Sequence, residues 1–414
     1  MRLISHAIMP SLAAFFAAGM APATAAVPDP LVDRDGKRVT STSEWTEKRR
    51  GEILDAFREN IYGRNPVDRP PVLEFEPGPA TAIFDGLGTR KSVEITYGND
   101  ARRGNFTLHL YIPAEPKGVF LFINNRAPEI AADAHLHAPG SPGAEFFPVH
   151  DILSRGYVAA SFSNRQLAED DKNKSFNGGV FKVFGPQGDL DGATYPARPP
   201  NAWSTIAAWA WGVSRAIDYL ESDRTLKDLP IAVLGHSRGG KTALWCGAQD
   251  TRVDLTISNS SGSTGAAMAR GKQGETIARI NKSFPYWFCD NYKKYNNRED
   301  SLPVDQHMLL ALCAPRPVYV QSSSADAHAD PAAEFRSCQL ATPVYRLFGL
   351  TGIPSSAKPK HNTPIAKGHV GYHVRADGYE GDNDPGNGGW HTLKAYDWAR
   401  YMDFADRHFP KTGR

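Results

Sequence analysis

The spacing of apolar residues changes after residue 112 of the chain. Between 72 and 112, short runs such as Ser92–Tyr97 and Phe106–Tyr111 alternate apolar with polar residues, which is typical of antiparallel strands with one solvated face. Later runs such as Gly118–Ile123 and Tyr157–Phe162 are continuously apolar, which indicates strands that are buried on both faces of a parallel sheet. The chain therefore starts β-rich and continues with a buried sheet.

Segments with helical periodicity separate the later apolar runs. The alternation predicts further strands at 231–234, 253–257, 318–321 and 370–374. It predicts helices at 203–221, 241–249, 305–313, 332–350 and 393–408. Strands that alternate with helices after a β-rich start predict an α/β protein with a doubly wound, mostly parallel sheet and an antiparallel N-terminal edge.

The beginning of the chain has the features of a signal peptide. Residues 1–26 combine an N-terminal arginine, an apolar stretch too short to span a bilayer and the cleavage pattern Ala23-Thr24-Ala25. We expect residues 27–68 to form a helical arm and linker, and residues 69–414 to form one α/β domain. The mature protein is expected to be a periplasmic or secreted monomer that does not span or bind a membrane.

Composition narrows the possible partners. The chain is 41% apolar and 22% charged, which is ordinary for a globular protein, and its formal net charge is +2. Basic and acidic residues are interspersed, so the sequence offers no basic stripe for nucleic acid. Export permits disulfides, but the four cysteines allow three full pairings that the sequence does not separate, and Cys246 in an apolar helix is interpreted as a buried thiol.

The motif Gly235-His236-Ser237-Arg238-Gly239 lies between the predicted strand 231–234 and the predicted helix 241–249. A G-x-S-x-G sequence in this context is typical of the strained turn that exposes a nucleophilic serine in the α/β-hydrolase fold. Isolated matches are also found in ordinary glycine-rich turns, but the strand before and the helix after favour Ser237 as a nucleophile. The backbone amide of Arg238 would then face the oxyanion of the reaction.

A catalytic acid is expected after a late strand of this fold. The loop that follows strand 318–321 contains two carboxylates, Asp326 and Asp330. Asp330 precedes Pro331 and a predicted helix, so we interpret it as a helix N-cap. Asp326 is therefore the candidate acid, and the alternative is a solvated loop carboxylate.

The catalytic histidine is expected after the last strand, and His391 lies between strand 370–374 and helix 393–408. His373 is a rival within the strand itself, where a histidine that bonds to its neighbours is the simpler explanation. The chain order Ser237, Asp326, His391 matches that of α/β-hydrolases, and this mechanism needs neither a metal nor a cofactor.

Several segments together resemble the glucuronoyl esterases of carbohydrate esterase family 15. The sequence Gly235–Lys241 is similar to the G-[CH]-S-R-x-G-K signature of that family. Further similarities cover most of the mature chain, at Trp209–Gly212, Ile257–Gly262, Gly274–Thr276, Phe284–Phe288 and Ala395–Trp398. The resemblance implies hydrolysis of esters between 4-O-methylglucuronoyl groups of xylan and lignin alcohols.

The resemblance also assigns roles to individual residues. It implies that the Arg238 side chain joins the oxyanion hole and that Lys241 and Glu275 hold the hydroxyls of the uronate. Lys241 lies about one helical turn beyond Ser237, so both side chains can face one cleft. Ser260 stands where many members carry a catalytic glutamate, which leaves the acid role to Asp326 at the alternative site of the family.

Two other positions depart from the family pattern. His328 stands where related enzymes carry a tryptophan that contacts the sugar, so it is a candidate for substrate binding. Residues 376–390 look like an insertion that forms either a flexible loop or a lid. Alternatives to a glucuronoyl esterase are an acetyl-xylan or cinnamoyl esterase on the same scaffold, or a carbohydrate-binding pseudoenzyme.

Overall fold

A computed structural model describes residues 27–138, 140–185, 198–376 and 391–410. In these ranges the strands are β1 Val72–Pro77, β2 Thr81–Ile83, β3 Gly88–Gly98, β4 Arg103–Pro113, β5 Val119–Asn124, β6 Val158–Ser163, β7 Ile231–His236, β8 Leu255–Asn259, β9 Val318–Ser323 and β10 Val370–Arg375. The α-helices are α1 Thr42–Glu44, α2 Arg50–Phe57, α3 Pro128–Ala132, α4 Pro142–Phe146, α5 Val149–Ser154, α6 Gly179–Phe184, α7 Thr205–Ser222, α8 Arg238–Gln249, α9 Ile277–Ser283, α10 Gln306–Ala311, α11 Pro331–Leu347 and α12 Ala395–His408.

All ten strands belong to one sheet, in the order β1-β3-β4-β6-β5-β7-β8-β9-β10, with β2 paired to β3. The pairs from β1 to β4 and the pair β4–β6 are antiparallel. From β6 to β10 every neighbouring pair is parallel. The prediction of an α/β-hydrolase fold with an antiparallel N-terminal edge is confirmed, and each predicted strand overlaps an observed one.

Successive side chains of the central strands enter two different cores because side chains alternate across a strand. In β5, Val119, Leu121 and Ile123 belong to the larger hydrophobic cluster together with α7 and α8. Phe120 and Phe122 belong to the cluster on the opposite face, with side chains of α5 and α12. Helices cover both faces of the sheet, which explains why these strands are continuously apolar in sequence.

The segment before β1 is joined to the larger core. Helices α1 and α2 alternate with the π-helical turns Trp45–Arg49 and Arg58–Tyr62. The Tyr62 ring stacks on the ring of Trp245 in α8 with 4.4 Å between their centroids. The Tyr62 hydroxyl donates to the carbonyl of Thr264 at 2.8 Å. This arm therefore packs directly against the helix that follows the serine motif.

Helix α8 begins at Arg238, whereas the sequence predicted its start at Lys241. The paired glycines Gly239 and Gly240 disfavour a helix by propensity, but the close contact of α8 with its neighbours leaves no room for a side chain at Gly235 or Gly240. A Cβ atom on Gly235 would lie 2.1 Å from the Gly239 carbonyl, and one on Gly240 would lie 2.9 Å from Ser261 Cβ. The helix can approach the sheet this closely only because side chains are absent here.

The cysteines form no disulfide. Cys246, Cys289, Cys313 and Cys338 are all free thiols and all buried. In the part of the chain that the structure describes, no helix is both long enough and apolar enough to cross a membrane.

Candidate active site

Ser237 occupies the turn between β7 and α8. Its backbone has φ 56° and ψ −120°, a left-handed conformation that a non-glycine residue rarely adopts. The Ser237 amide donates to the Asn259 carbonyl at 2.8 Å, which ties the turn to the end of β8. The strained turn leaves the side chain partly exposed at the carboxyl end of the sheet, where α/β folds bind their ligands.

A chain of hydrogen bonds connects Ser237, His391 and Asp326. His391 Nε2 lies 2.9 Å from Ser237 Oγ, and His391 Nδ1 lies 2.6 Å from Asp326 Oδ2. With the carboxylate at Nδ1, that nitrogen carries the proton and Nε2 accepts the hydrogen bond of the serine hydroxyl. The arrangement has the geometry of a nucleophile, a base and an acid that orients the base.

Asp326 is held in its ionised form. Burial raises the pKa of its carboxyl, but the hydrogen bond and charge of His391 outweigh that effect, and the pKa is lower than usual. The other carboxylate oxygen, Oδ1, accepts the Ala329 amide at 3.0 Å. The loop after β9 thus presents a fixed negative charge to the imidazole.

The rival residues have other partners. Asp330 is the N-cap of α11, where it accepts the Ala333 amide at 3.0 Å. His373 is buried in β10, with Nε2 2.9 Å from Asp397. Ser260 Oγ donates to the side-chain oxygen of Gln321 at 3.0 Å. Each of these three side chains therefore has hydrogen-bond partners that do not include Ser237.

The Arg238 side chain is fixed by a residue that the sequence analysis did not identify. Its guanidinium forms an ion pair with Asp170, whose side chain is only 2% exposed. The other carboxylate oxygen of Asp170 accepts the Tyr286 hydroxyl at 2.9 Å and Trp287 Nε1 at 2.9 Å. The guanidinium also lies 4.9 Å from the centroid of the Trp287 ring, within the range of cation–π attraction.

Lys241 extends from the first turn of α8 into the protein. It is buried, and its ammonium group donates to the carbonyl of Ser261. Burial lowers the pKa of Lys241 to about 8, although the negative charge of Glu275 acts to raise it. A buried lysine with such a pKa marks a candidate binding or catalytic position.

Glu275 and His328 lie together on two adjoining loops. His328 Nε2 is 3.3 Å from Glu275 Oε1, and the Glu275 amide donates to the His328 carbonyl at 3.1 Å. The His328 side chain is 64% exposed, whereas that of Glu275 is 9% exposed. Glu275 therefore faces inward and His328 lies at the surface above it.

Comparison with known proteins identifies the family. The family model for fungal glucuronyl esterases matches residues 143–349. Carbohydrate esterase MZ0003 from an unknown prokaryotic organism is 38% identical, over 92% of this chain and 89% of its own length. A 4-O-methyl-glucuronoyl methylesterase of Schizophyllum commune is 30% identical, and the match covers 90% of each chain. The chain belongs to the glucuronoyl esterase family.

The solved structures agree with this assignment. A glucuronoyl esterase from Solibacter usitatus superposes with a TM-score of 0.81 and 36% identity, over 93% of this chain and 98% of that one. The resemblance to glucuronoyl esterases expected from the serine motif and the other segments is thus confirmed.

This member of the glucuronoyl esterase family has a cavity of about 450 Å³ beside the serine. Its lining includes Arg126, Phe146, Arg165, Arg238 and His391. Within the described ranges, no group of three or more His, Cys, Asp or Glu side chains could hold a metal ion. Of the predicted insertion 376–390, residues 377–390 lie outside the described ranges.

Sequence reasoning missed Asp170 because its surroundings carry no motif. It lies in the segment Glu169-Asp170-Asp171, whose sequence is typical of an ordinary polar loop after β6. The sequence contains only an indirect signal, because the aromatic segment Phe284–Phe288 resembles the corresponding segment of the family. Two of its members, Tyr286 and Trp287, turn out to contact the same carboxylate.

Proposed function

We propose that this protein is a serine esterase that hydrolyses esters of 4-O-methylglucuronic acid, such as those between glucuronoxylan and lignin alcohols. The observation that carries the proposal is the hydrogen-bonded chain Ser237–His391–Asp326 beside Arg238, in a member of the glucuronoyl esterase family. The names of the relatives support the substrate class, because several are called 4-O-methyl-glucuronoyl methylesterases.

The first half of the reaction forms an acyl-enzyme. His391 takes the proton of Ser237 while Oγ attacks the ester carbonyl. The negative charge that develops on the carbonyl oxygen is stabilised by the Arg238 guanidinium and by the Arg238 amide at the start of α8. His391 then gives its proton to the departing alcohol oxygen, and Asp326 stabilises the imidazolium throughout.

The second half returns the enzyme to its starting state. Water enters, His391 takes one of its protons, and the resulting nucleophile attacks the acyl carbonyl. The bond to Ser237 Oγ breaks, and Oγ regains a proton from His391 as the free acid leaves. Asp170 acts here as a positioning residue, because it holds the guanidinium of Arg238 where the oxyanion forms.

The uronate ring is proposed to lie on the side of Lys241 and Glu275. The Lys241 ammonium can donate a hydrogen bond to a sugar hydroxyl, and the Glu275 carboxylate can accept one. His328, exposed above Glu275, contacts the outer face of the sugar in this arrangement.

We also propose that the protein is exported after cleavage of residues 1–26 and acts as a monomer in the periplasm or the medium. These residues lie outside the described ranges. N-terminal sequencing of the processed protein and its mass in solution would test both statements, and an intact amino terminus would contradict the first.

The nucleophile is tested with the methyl ester of 4-O-methylglucuronic acid. Ser237→Ala should lower kcat by at least about 10³-fold, because removal of Oγ eliminates the covalent route. Ser356→Ala, at an exposed serine, is the matched control and should keep wild-type turnover. Near-normal turnover by Ser237→Ala would disprove the mechanism.

The uronate specificity is tested with a panel of esters. Lys241→Met and Glu275→Ala should each lose about ten- to a hundredfold in kcat/KM on the glucuronate ester, as expected for a lost hydrogen bond to a charged group, and much less on an aryl acetate. Equal losses on both substrates would indicate a structural role for these residues. A wild-type enzyme that prefers acetyl-xylan or cinnamoyl esters would instead favour those alternatives.

A further inference from the structure

The cavity beside Ser237 is lined by charged groups that the proposed uronate contacts do not use. Its lining includes Arg126, Phe146, Arg165, His391 and Leu393. Lys241 and Glu275 are not among the described residues that line it. The described lining of the cavity thus does not include the two residues proposed to hold the sugar ring.

The chemistry of the triad decides which half of an ester enters this cavity. His391 Nε2 must protonate the alcohol oxygen as it leaves, so the alcohol has to lie on the side of the imidazole. His391, Thr392 and Leu393 all line the cavity. This step rests on the proposed function, and it directs the alcohol half of the ester into the cavity.

Cations outnumber carboxylates among the described residues that line the cavity. The cations are Arg126, Arg165, Arg238 and Lys394, and the carboxylate is Glu145. Arg238 is paired with Asp170, and Glu145 accepts the amide of Ala395 at 3.0 Å. Across residues 27–138, 140–185, 198–376 and 391–410, no ion pair involves Arg126 or Arg165.

Arg126 is also held against an aromatic wall. The central carbon of its guanidinium lies 4.5 Å from the centroid of the Phe146 ring. This contact leaves the edge of the planar guanidinium able to donate two parallel hydrogen bonds to a carboxylate. Phe146 and Leu393 give the same cavity an apolar surface on which a ring can pack.

We propose that this cavity is the subsite for the alcohol half of the ester, and that Arg126 and Arg165 make it selective for aromatic alcohols that carry an anionic group. The apolar wall binds the ring, and the two guanidinium groups bind a carboxylate or another anion at its far end. Because the anion is distant from the reacting carbonyl, the preference is expressed in kcat/KM and falls as salt screens the charges.

The test uses three esters of 4-O-methylglucuronic acid with benzyl, 4-carboxybenzyl and 4-(trimethylammonio)benzyl alcohol. These alcohols have similar size and differ in charge. The wild-type enzyme should prefer the anionic over the neutral ester by about tenfold in kcat/KM at low salt, as two partly exposed ion pairs would give, and should disfavour the cationic ester. At high ionic strength the three values should converge.

The variants Arg126→Gln and Arg165→Gln should each reduce the preference, and the double variant should bring the kcat/KM values of the three esters to within about twofold of one another. Arg103→Gln is the matched control. Arg103 is an exposed cation that pairs with Glu74 at the antiparallel edge of the sheet, and its loss should leave all three values unchanged.

Either of two outcomes would overturn this inference and leave the proposed function intact. One is equal kcat/KM for the three esters in the wild-type enzyme, and the other is an unchanged preference in the double variant. Failure of the wild-type enzyme to hydrolyse any of the three uronate esters while it hydrolyses an aryl acetate would instead overturn the proposed function, and this inference with it.

Discussion

At the scale of single residues, the acid of the triad has two neighbouring candidates with different contacts. Asp326 contacts His391, and Asp330 contacts the first turn of α11. Asp326→Asn should preserve the shape of the loop but favour the wrong imidazole tautomer, which lowers kcat by up to about 10⁴-fold. Asp330→Asn is the matched control and should cost little in kcat, since the Asp330 carboxylate accepts the Ala333 and Gln273 amides and does not contact His391. The reverse ranking of the two kcat values would show that the acid is misassigned.

The position of Arg238 depends on another single residue. Asp170→Asn removes the charge that holds the guanidinium and should lower kcat by about tenfold with little change in KM. Removal of an oxyanion donor itself costs about 10²- to 10³-fold, so Arg238→Met should lose more.

Tyr286→Phe serves as the control for Asp170, because it removes one donor to the carboxylate and leaves the ion pair intact. Its kcat should stay close to that of the wild-type enzyme. If Asp170→Asn raised KM and left kcat unchanged, Asp170 would be a substrate contact and not a positioning residue.

At the scale of elements, the contact between β7 and α8 allows no side chain at Gly235. A Cβ there would lie 2.1 Å from backbone atoms of Gly239, so Gly235→Ala must displace the helix or the strand. We expect a loss of more than about 2 kcal/mol in the free energy of unfolding. Gly51→Ala is the control, since nothing lies within 4 Å of its new Cβ in α2, and it should add about 0.5 to 1 kcal/mol.

Urea unfolding curves of the two glycine variants measure both free energies. A Gly235→Ala protein as stable as the wild type would mean that β7 and α8 can separate without cost. Its kcat is a second readout, because a displaced α8 carries the Arg238 and Lys241 side chains away from the serine.

The longer elements were predictable from the sequence and the shorter ones were not. Strands such as β5 and β7 begin with runs of at least four apolar residues, and helices such as α7 and α12 span several turns of periodic pattern. Helices α3 to α6 have at most six residues, too few for a period to appear. The place of β6 between β4 and β5 depends on pairing between distant residues, which local pattern does not encode.

The residues of the candidate site also divide into some that the sequence predicts and one that it does not. Ser237, Asp326 and His391 follow a fixed order relative to strands, so chain order was enough to select them. Asp170 enters the site from a loop that obeys no such order. Its three partners come from α8 and from the segment after α9, and only the folded chain brings them together.

At the scale of the whole molecule, a buried carboxyl links stability to pH. Glu334 of α11 accepts a hydrogen bond from the Ser322 hydroxyl at 2.6 Å and another from the Gly262 amide at 2.8 Å. It therefore links strand β9, which contains Ser322, to the loop after β8, which contains Gly262. Burial raises the pKa of Glu334 to about 7, although both hydrogen bonds oppose the shift. The folded state binds this proton more tightly than the unfolded state, so the contribution of Glu334 to stability falls as pH rises from about 4.5 to 7.

Glu334→Gln removes this titration. Relative to the wild type, the variant should therefore gain free energy of unfolding between pH 5 and pH 8, by up to about 3 kcal/mol. Glu47→Gln, at an exposed position of the N-terminal arm, is the control and should show no such gain. Urea unfolding at the two pH values gives the comparison, and a pH-independent difference between Glu334→Gln and the wild type would contradict the prediction.

The docking of the N-terminal arm on α8 has a consequence for the order of folding. The Tyr62 hydroxyl and the Thr264 carbonyl that it contacts are 202 residues apart. A ribosome that makes the chain from its amino terminus thus releases Phe57 and Tyr62 long before Trp245, whose ring both of them contact, exists. These contacts form only after the middle of the chain has been synthesised, because they join residues that are distant in sequence. The arm can therefore take its folded position only after α8 and the segment that follows β8 have been made.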